Sequence, residues 1–148
     1  MKFDKPTFAI LIGIISTIPY EIITRIFLHY GFAKYSVYQL TSLMITLNRP
    51  NTGLGTVSSI ILGGAISLIF LFSLKFLRPN NLIIKSIGLT LLSWLLLEVM
   101  FMWLIEGREL IPHRPVSDYY SEMVGSVVFG FTQGILFRKY LVTKTRRR

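Results

Sequence analysis

Four long apolar stretches constrain the fold of this sequence more than any other feature. They cover residues 6–29, 54–76, 86–105 and 117–137, and the third is already apolar from Leu82. Each has about the 20 residues that a helix needs to cross roughly 30 Å of hydrocarbon. Because irregular backbone would leave unpaired amide groups in lipid, we expect an all-α membrane protein with four transmembrane helices.

The composition agrees with a single membrane domain over residues 1–148. Hydrophobic residues make up 52% of the chain and charged residues 16%, which is too apolar for an ordinary soluble domain. The absence of cysteine excludes disulfide frameworks, zinc–thiolate sites and catalytic thiols. The first stretch lacks a signal-peptide cleavage site, so we expect it to remain as an uncleaved helix.

Basic residues are distributed unequally between the predicted loops. Eleven Lys and Arg lie on the side that holds the N-terminus, the second loop and the basic tail 138–148, against four on the other side. The positive-inside rule then places both termini in the cytoplasm, and we expect a bacterial cytoplasmic (inner) membrane location. The partner is the lipid bilayer, and no nucleic acid is expected, because no nucleic-acid-binding motif accompanies the charge.

A short periodic segment, 33–47, lies between the first two spans. Its apolar residues recur at helical spacing, namely Ala33, Val37, Leu40, Met44 and Leu47. About 15 residues cannot span a bilayer, so we expect an interfacial helix on the outer surface. Two interpretations remain equal at this point, a lid packed on the bundle and a surface that binds a partner.

Small residues recur along the second and fourth spans. The second span carries Gly55, Ser59, Gly63 and Ser67, and the fourth carries Gly125, Gly130 and Gly134. Such stripes let two helix backbones approach closely. They indicate either packing within one bundle or a homo-oligomer interface.

Four charged residues inside the spans form the main candidate site. They are Glu21, Arg25, Glu98 and Glu122, and Pro19 is the candidate hinge beside them. The proposed topology places all four charges in the outer half of the bilayer, where each costs about 2.5 to 3.5 kcal/mol unless it is paired. Glu21 and Arg25 have the spacing of a helical ion pair. Arg25 then either joins spans one, three and four, or helps to form a vestibule that binds a cation, a proton or a lipid headgroup.

No motif in the sequence specifies a reaction. Glu109 and His113 have helical spacing and His29 could approach them, but the prolines that flank His113 argue against a continuous helix, so we expect no metal, no cofactor and no catalytic residue. The leading hypothesis is a non-enzymatic membrane protein. The alternatives are a small oligomeric transporter or channel with Glu21 or Glu98 as coupling carboxylate, and a lipid-processing envelope enzyme that uses Glu98, Glu122 and His113.

Two parts of the sequence resemble known membrane proteins. The first half carries Pro19-Tyr20-Glu21, Gly31, Tyr35-Ser36-Val37-Tyr38-Gln39-Leu40 and Asn48-Arg49-Pro50. This run resembles small uncharacterised four-helix membrane proteins of bacteria, which implies a membrane location and a topology but no activity.

The second half is similar to the VanZ-like membrane family. That family carries an acid in one helix and an Arg, Asp, Asn and Gly series entering the next. The corresponding residues here are Glu98, Arg114, Asp118, Glu122 and Gly125. Since Glu122 stands in place of the Asn, we transfer no function from this resemblance.

Overall fold

The computed structural model describes residues 4–76 and 80–142, and these residues form an all-α structure. Its helices are α1 (Lys5–His29), α2 (Val37–Thr46), α3 (Thr52–Ser73), α4 (Leu82–Leu104) and α5 (Val116–Leu136), with a 3-10 turn at Glu106–Arg108 and a π-helical end at Phe137–Val142. The predicted basic tail is described only as far as Val142. Residues 1–3, 77–79 and 143–148, which carry part of the basic charge, lie outside the described residues.

Three helical segments are long and apolar enough to cross a membrane. They are Lys5–His29, Thr52–Ser73 and Leu82–Arg108. Helix α5 has 21 residues but is not among them, because its polar residues lower its mean hydropathy. Those polar residues, including Asp118, Glu122 and Gln133, are buried within the bundle. The fourth predicted span is therefore a helix of sufficient length whose polar side faces the other helices.

The helices pack in the order α4, α5, α1, α3. Helix α1 packs against α3 on one side and against α5 on the other, and α5 packs against α4. The α1–α3 connection and the α4–α5 connection lie at one end of the bundle, which we call the polar end. Helices α3 and α4 contact each other little. This arrangement leaves a gap between them.

Helix α2 covers the polar end and packs on α3. It is shorter than the predicted segment 33–47 and begins after Ser36, whose side chain and that of Gln39 form a reciprocal capping box. Its apolar side, with Leu40 and Leu43, is buried. The structure therefore shows this segment packed on the bundle, and binding of a partner by its outer side stays a prediction.

Both stripes of small residues lie at contacts inside the chain. A Cβ atom added to Gly13 would overlap the backbone carbonyl of Gly63, so α1 and α3 cross in direct backbone contact. On the other side of the bundle, a Cβ atom added to Gly130 would lie 2.7 Å from the backbone of Ile87 in α4. Gly55, Ser59, Gly125 and Gly134 are also buried. The two stripes therefore face neighbouring helices of the same chain.

The contact between α1 and α3 leads to a first prediction. Gly13→Ala should lower the melting temperature of the protein in detergent, because overpacking a tight contact costs about 1 to 3 kcal/mol. Gly88→Ala is the matched control, since an added Cβ atom at Gly88 meets nothing within 4 Å. Alanine there should leave stability unchanged or raise it by up to about 1 kcal/mol through helix propensity. Equal melting temperatures for the two variants would contradict the close crossing.

Candidate functional site

The gap between α3 and α4 forms a crevice that all five helices line. Its walls are mostly apolar, with Leu62 and Ile66 on α3 and Leu97 on α4. The crevice has a cavity volume of about 90 Å³ and is open on one side. We call it the α3–α4 crevice. Glu98, Arg114 and Glu122 belong to its lining as well.

The Arg114 side chain joins three acidic residues at the polar end. It lies in the α4–α5 connection, is only 5% exposed, and forms ion pairs with Glu98 of α4 and Glu106 of the 3-10 turn. Its Nη1 atom lies 3.8 Å from Oδ2 of Asp118 in α5. Charge-assisted contacts of this kind are the strong ones. Arg114 thereby ties the end of α4 to the beginning of α5.

Aromatic rings enclose the same guanidinium group. Its Cζ atom lies 4.5 Å from the ring centre of Phe101 and 4.6 Å from that of Tyr119. Burial alone would lower the pKa of Arg114, but the Glu98 and Glu106 carboxylates outweigh burial and hold this pKa above its ordinary value. Arg114 therefore stays protonated.

Asp118 connects this network to the α1–α2 connection. Its Oδ1 atom accepts a hydrogen bond of 2.9 Å from the backbone N–H of Lys34. The Asp118 side chain is fully buried, and its Oδ2 atom faces Arg114 without a hydrogen bond in the described part of the chain. The network consequently holds together α4, α5 and the segment that leads into α2.

Glu122 lies one helical turn further along α5 and is 3% exposed. Its Oε2 atom accepts a hydrogen bond of 3.0 Å from the Tyr20 hydroxyl group of α1, which in turn accepts one of 3.2 Å from Ser126. The other carboxyl oxygen, Oε1, is buried and has no hydrogen-bond partner among the described residues, and the same holds for the indole Nε1 of Trp94. Glu122 and Trp94 both line the α3–α4 crevice.

The other two predicted charges form a separate pair. As predicted from their spacing, Arg25 Nε donates to Glu21 Oε1, at 2.6 Å. Glu21 also accepts hydrogen bonds of 3.0 Å from the Ser36 hydroxyl and from the Tyr38 backbone, so it anchors the beginning of α2. The Arg25 side chain is 54% exposed.

The four predicted charges therefore do not form one cluster. Glu21 and Arg25 hold α2, whereas Glu98 and Glu122 line the α3–α4 crevice with Arg114. The role of joining helices, which the sequence analysis gave to Arg25, belongs to Arg114. Pro19 lies inside α1, and the helix continues on both sides of it; its role as a hinge stays a prediction.

Sequence reasoning left Arg114, Glu106, Tyr20 and Trp94 out of the site. One available signal was the i,i+4 spacing of Arg114 and Asp118 where α5 begins. Among residues 4–76 and 80–142, no group of three or more His, Cys, Asp and Glu residues is placed to hold a metal ion. No protein-family model, curated protein or solved structure matches this chain.

The Arg114 network leads to a second prediction. Arg114→Ala should lower stability by about 3 to 5 kcal/mol, because it leaves buried carboxylates without their counter-charge. Arg25→Ala is the control and should cost less, because the Arg25 side chain is 54% exposed and the buried Glu21 carboxylate keeps its hydrogen bonds from Ser36 and Tyr38. Melting temperatures and the yield of folded protein in detergent measure both effects.

A second substitution separates charge from packing in that experiment. Glu106→Gln in the Arg114→Ala background removes one uncompensated carboxylate, so it should restore part of the lost stability. No restoration, or equal losses for Arg25→Ala and Arg114→Ala, would show that the guanidinium charge does not organise this end of the bundle.

Proposed function

We propose that this chain is a non-enzymatic multi-pass membrane protein that binds an amphipathic small molecule or lipid in the α3–α4 crevice. The apolar tail of the ligand lies between α3 and α4, and its polar head lies beside Glu122 and Trp94. The observation that carries the proposal is an apolar crevice lined by residues with buried polar atoms that have no hydrogen-bond partner in the described part of the chain, namely Glu122 Oε1, Trp94 Nε1 and Arg114 Nη1. Ligand sites commonly combine apolar walls with a few polar groups that fix orientation.

The proposed orientation has four membrane-crossing helices and both termini in the cytoplasm. Three helices have the required length and apolarity, and α5 turns its polar side inward, which allows its apolar side to face lipid. The eleven-to-four distribution of Lys and Arg supports the cytoplasmic termini. The polar end of the crevice then lies in the outer half of the bilayer.

The carboxyl groups favour binding over catalysis. Glu98 and Glu106 are both bonded to Arg114, which favours a structural role for these two carboxylates. Glu122 has an oxygen atom to offer, but among the described residues its hydrogen-bond partner is the Tyr20 hydroxyl, and no nucleophile activated by a neighbouring base accompanies it. Recognition of a polar head requires only the acceptor and donor atoms that are present.

The proposal predicts that alkyl chains reach Trp94. The chain has two tryptophans, and the other, Trp103, is 75% exposed, so Trp103→Phe makes Trp94 the only tryptophan emitter. In vesicles with brominated acyl chains, we expect strong quenching of Trp94 because bromine quenches indole on contact. Steady-state and time-resolved fluorescence measure the quenching. The Trp94→Phe protein, in which the exposed Trp103 is the remaining tryptophan, is the reference for an emitter in contact with lipid.

A variant with a larger side chain in the crevice wall is the control for this experiment. Leu97→Phe adds a ring to the crevice wall and should reduce the quenching of Trp94. Leu96→Phe, at an exposed position one residue earlier, should leave it unchanged. If Trp94 is not quenched in the Trp103→Phe protein, or if both phenylalanine variants behave alike, acyl chains do not occupy the crevice.

The orientation is tested separately with single cysteines in this cysteine-free chain. Phe76→Cys places a thiol at a residue that is 91% exposed after α3, and His113→Cys places one in the exposed α4–α5 connection. A membrane-impermeant maleimide added to intact cells should label Cys at 113 and not at 76. Labelling at 76 alone would reverse the proposed orientation, and labelling at both would contradict a single orientation.

A further inference from the structure

We propose that the ligand head in the α3–α4 crevice is a cation, and specifically the protonated amine of a single-chain amphiphile. This inference rests on the proposed function, because it names the chemistry of the group that would occupy the polar end of the same crevice. It follows from the charge balance at that end, the unpartnered oxygen of Glu122 and the aromatic lining.

The charge balance at the polar end is negative. The carboxyl groups of Glu98, Glu106 and Asp118 contact the guanidinium of Arg114, and a fourth carboxyl group, that of Glu122, lines the same crevice. The nearby basic residues are engaged elsewhere. The Lys34 amine lies 5.7 Å from the centre of the Tyr35 ring on the exposed side, and Arg25 pairs with Glu21. A ligand cation would supply the positive charge that this low-dielectric site lacks.

Glu122 gives this charge a specific position. The Tyr20 hydroxyl already occupies its Oε2 atom, whereas Oε1 is buried in the crevice lining without a partner in the described part of the chain. A carboxylate oxygen accepts hydrogen bonds and donates none. An ammonium group at this position would give Oε1 an N–H donor and would supply the positive charge that favours the ionised form of a buried carboxyl group.

Aromatic side chains around this position suit a cation as well. The rings of Trp94, Tyr20 and Phe129 line the same crevice as Glu122, and the Tyr20 hydroxyl group donates a hydrogen bond to Glu122. Ring faces attract ammonium groups electrostatically, and a site shielded from water strengthens that attraction. The apolar walls of α3 and α4 accept an alkyl chain. Together these features fit an amine at the end of one hydrocarbon tail.

An anionic head fits the same site poorly. Among the described residues, Arg114 is the only basic residue in the lining; its Nε and Nη2 atoms are hydrogen-bonded to Glu106 and Glu98, and its Nη1 atom lies 3.8 Å from Asp118 Oδ2. A phosphate at the unpartnered Nη1 of Arg114 would lie beside the Asp118 carboxylate and would increase the negative surplus. A neutral hydroxyl could reach Glu122 but would leave the charge balance unchanged. The site therefore ranks the three heads in the order ammonium, hydroxyl, phosphate.

The test uses displacement of a brominated chain. The Trp103→Phe protein is placed in micelles of a brominated alkyl maltoside, which quench Trp94, and dodecylammonium, dodecanol or dodecyl phosphate is added at pH 7. We expect dodecylammonium to relieve the quenching at a mole fraction about tenfold lower than dodecanol, which corresponds to about 1.4 kcal/mol. Dodecyl phosphate should be the weakest of the three.

Two variants assign this preference to Glu122. Glu122→Gln retains an oxygen for the Tyr20 hydroxyl, so the protein should still fold, but it should lose the preference for dodecylammonium. Glu109→Gln removes an exposed acid outside the crevice, and this variant should retain the preference for dodecylammonium. Thermal unfolding of both variants verifies that they are folded.

The possible results distinguish a failure of the cationic head from a failure of the proposed function. Equal displacement by the three heads, or stronger displacement by dodecyl phosphate, would overturn the cationic head and leave a chain-binding crevice in place. Preference for dodecylammonium that survives Glu122→Gln would overturn the assigned position. If Trp94 is not quenched before any head is added, the proposed function fails, and the cationic head fails with it.

Discussion

The ion pairs of Arg114 fix the polar end on which the rest of this structure depends. A buried guanidinium is tolerated only where carboxylates and aromatic rings replace water. Glu98, Glu106 and Asp118 supply the charges, and each lies on a different element. The end of α4, the 3-10 turn and the beginning of α5 must therefore meet. Through the bond from Lys34 to Asp118, the segment before α2 is held at the same place.

Close helix contacts further along the bundle explain why a crevice opens between α3 and α4. Gly13 and Gly63 bring α1 against α3, and Gly130 brings α5 against α4. Tyr20 fills the space over Gly125 between α1 and α5. The helices thus form a row of tight contacts whose two outer members, α3 and α4, are drawn toward α1 and α5 and not toward each other. The packing that stabilises the row creates the crevice.

Hydropathy and periodicity were sufficient to predict the helices, because burial and lipid exposure act on every residue of a long segment. They located α1 to α5, and the spacing of Glu21 and Arg25 predicted their ion pair. They did not identify Arg114 as the joining residue, since its position depends on how the α4–α5 connection folds back over α4. A residue in an irregular segment has no periodicity that would reveal its partners. The sequence therefore indicated that charged residues are buried. It did not indicate that they form two separate groups, Glu21 with Arg25 and Glu98 with Glu122 and Arg114.

That division separates polar atoms that have a partner within the fold from polar atoms that have none among the described residues. Glu21 caps the beginning of α2 with two hydrogen bonds, and Glu98 and Glu106 hold Arg114. Each of these acids is satisfied by the fold itself. Glu122 Oε1 and Trp94 Nε1 differ, because both are buried and neither finds a partner among the described residues. Leaving such groups unpaired costs free energy, so they are the atoms that a ligand of the proposed function would have to satisfy.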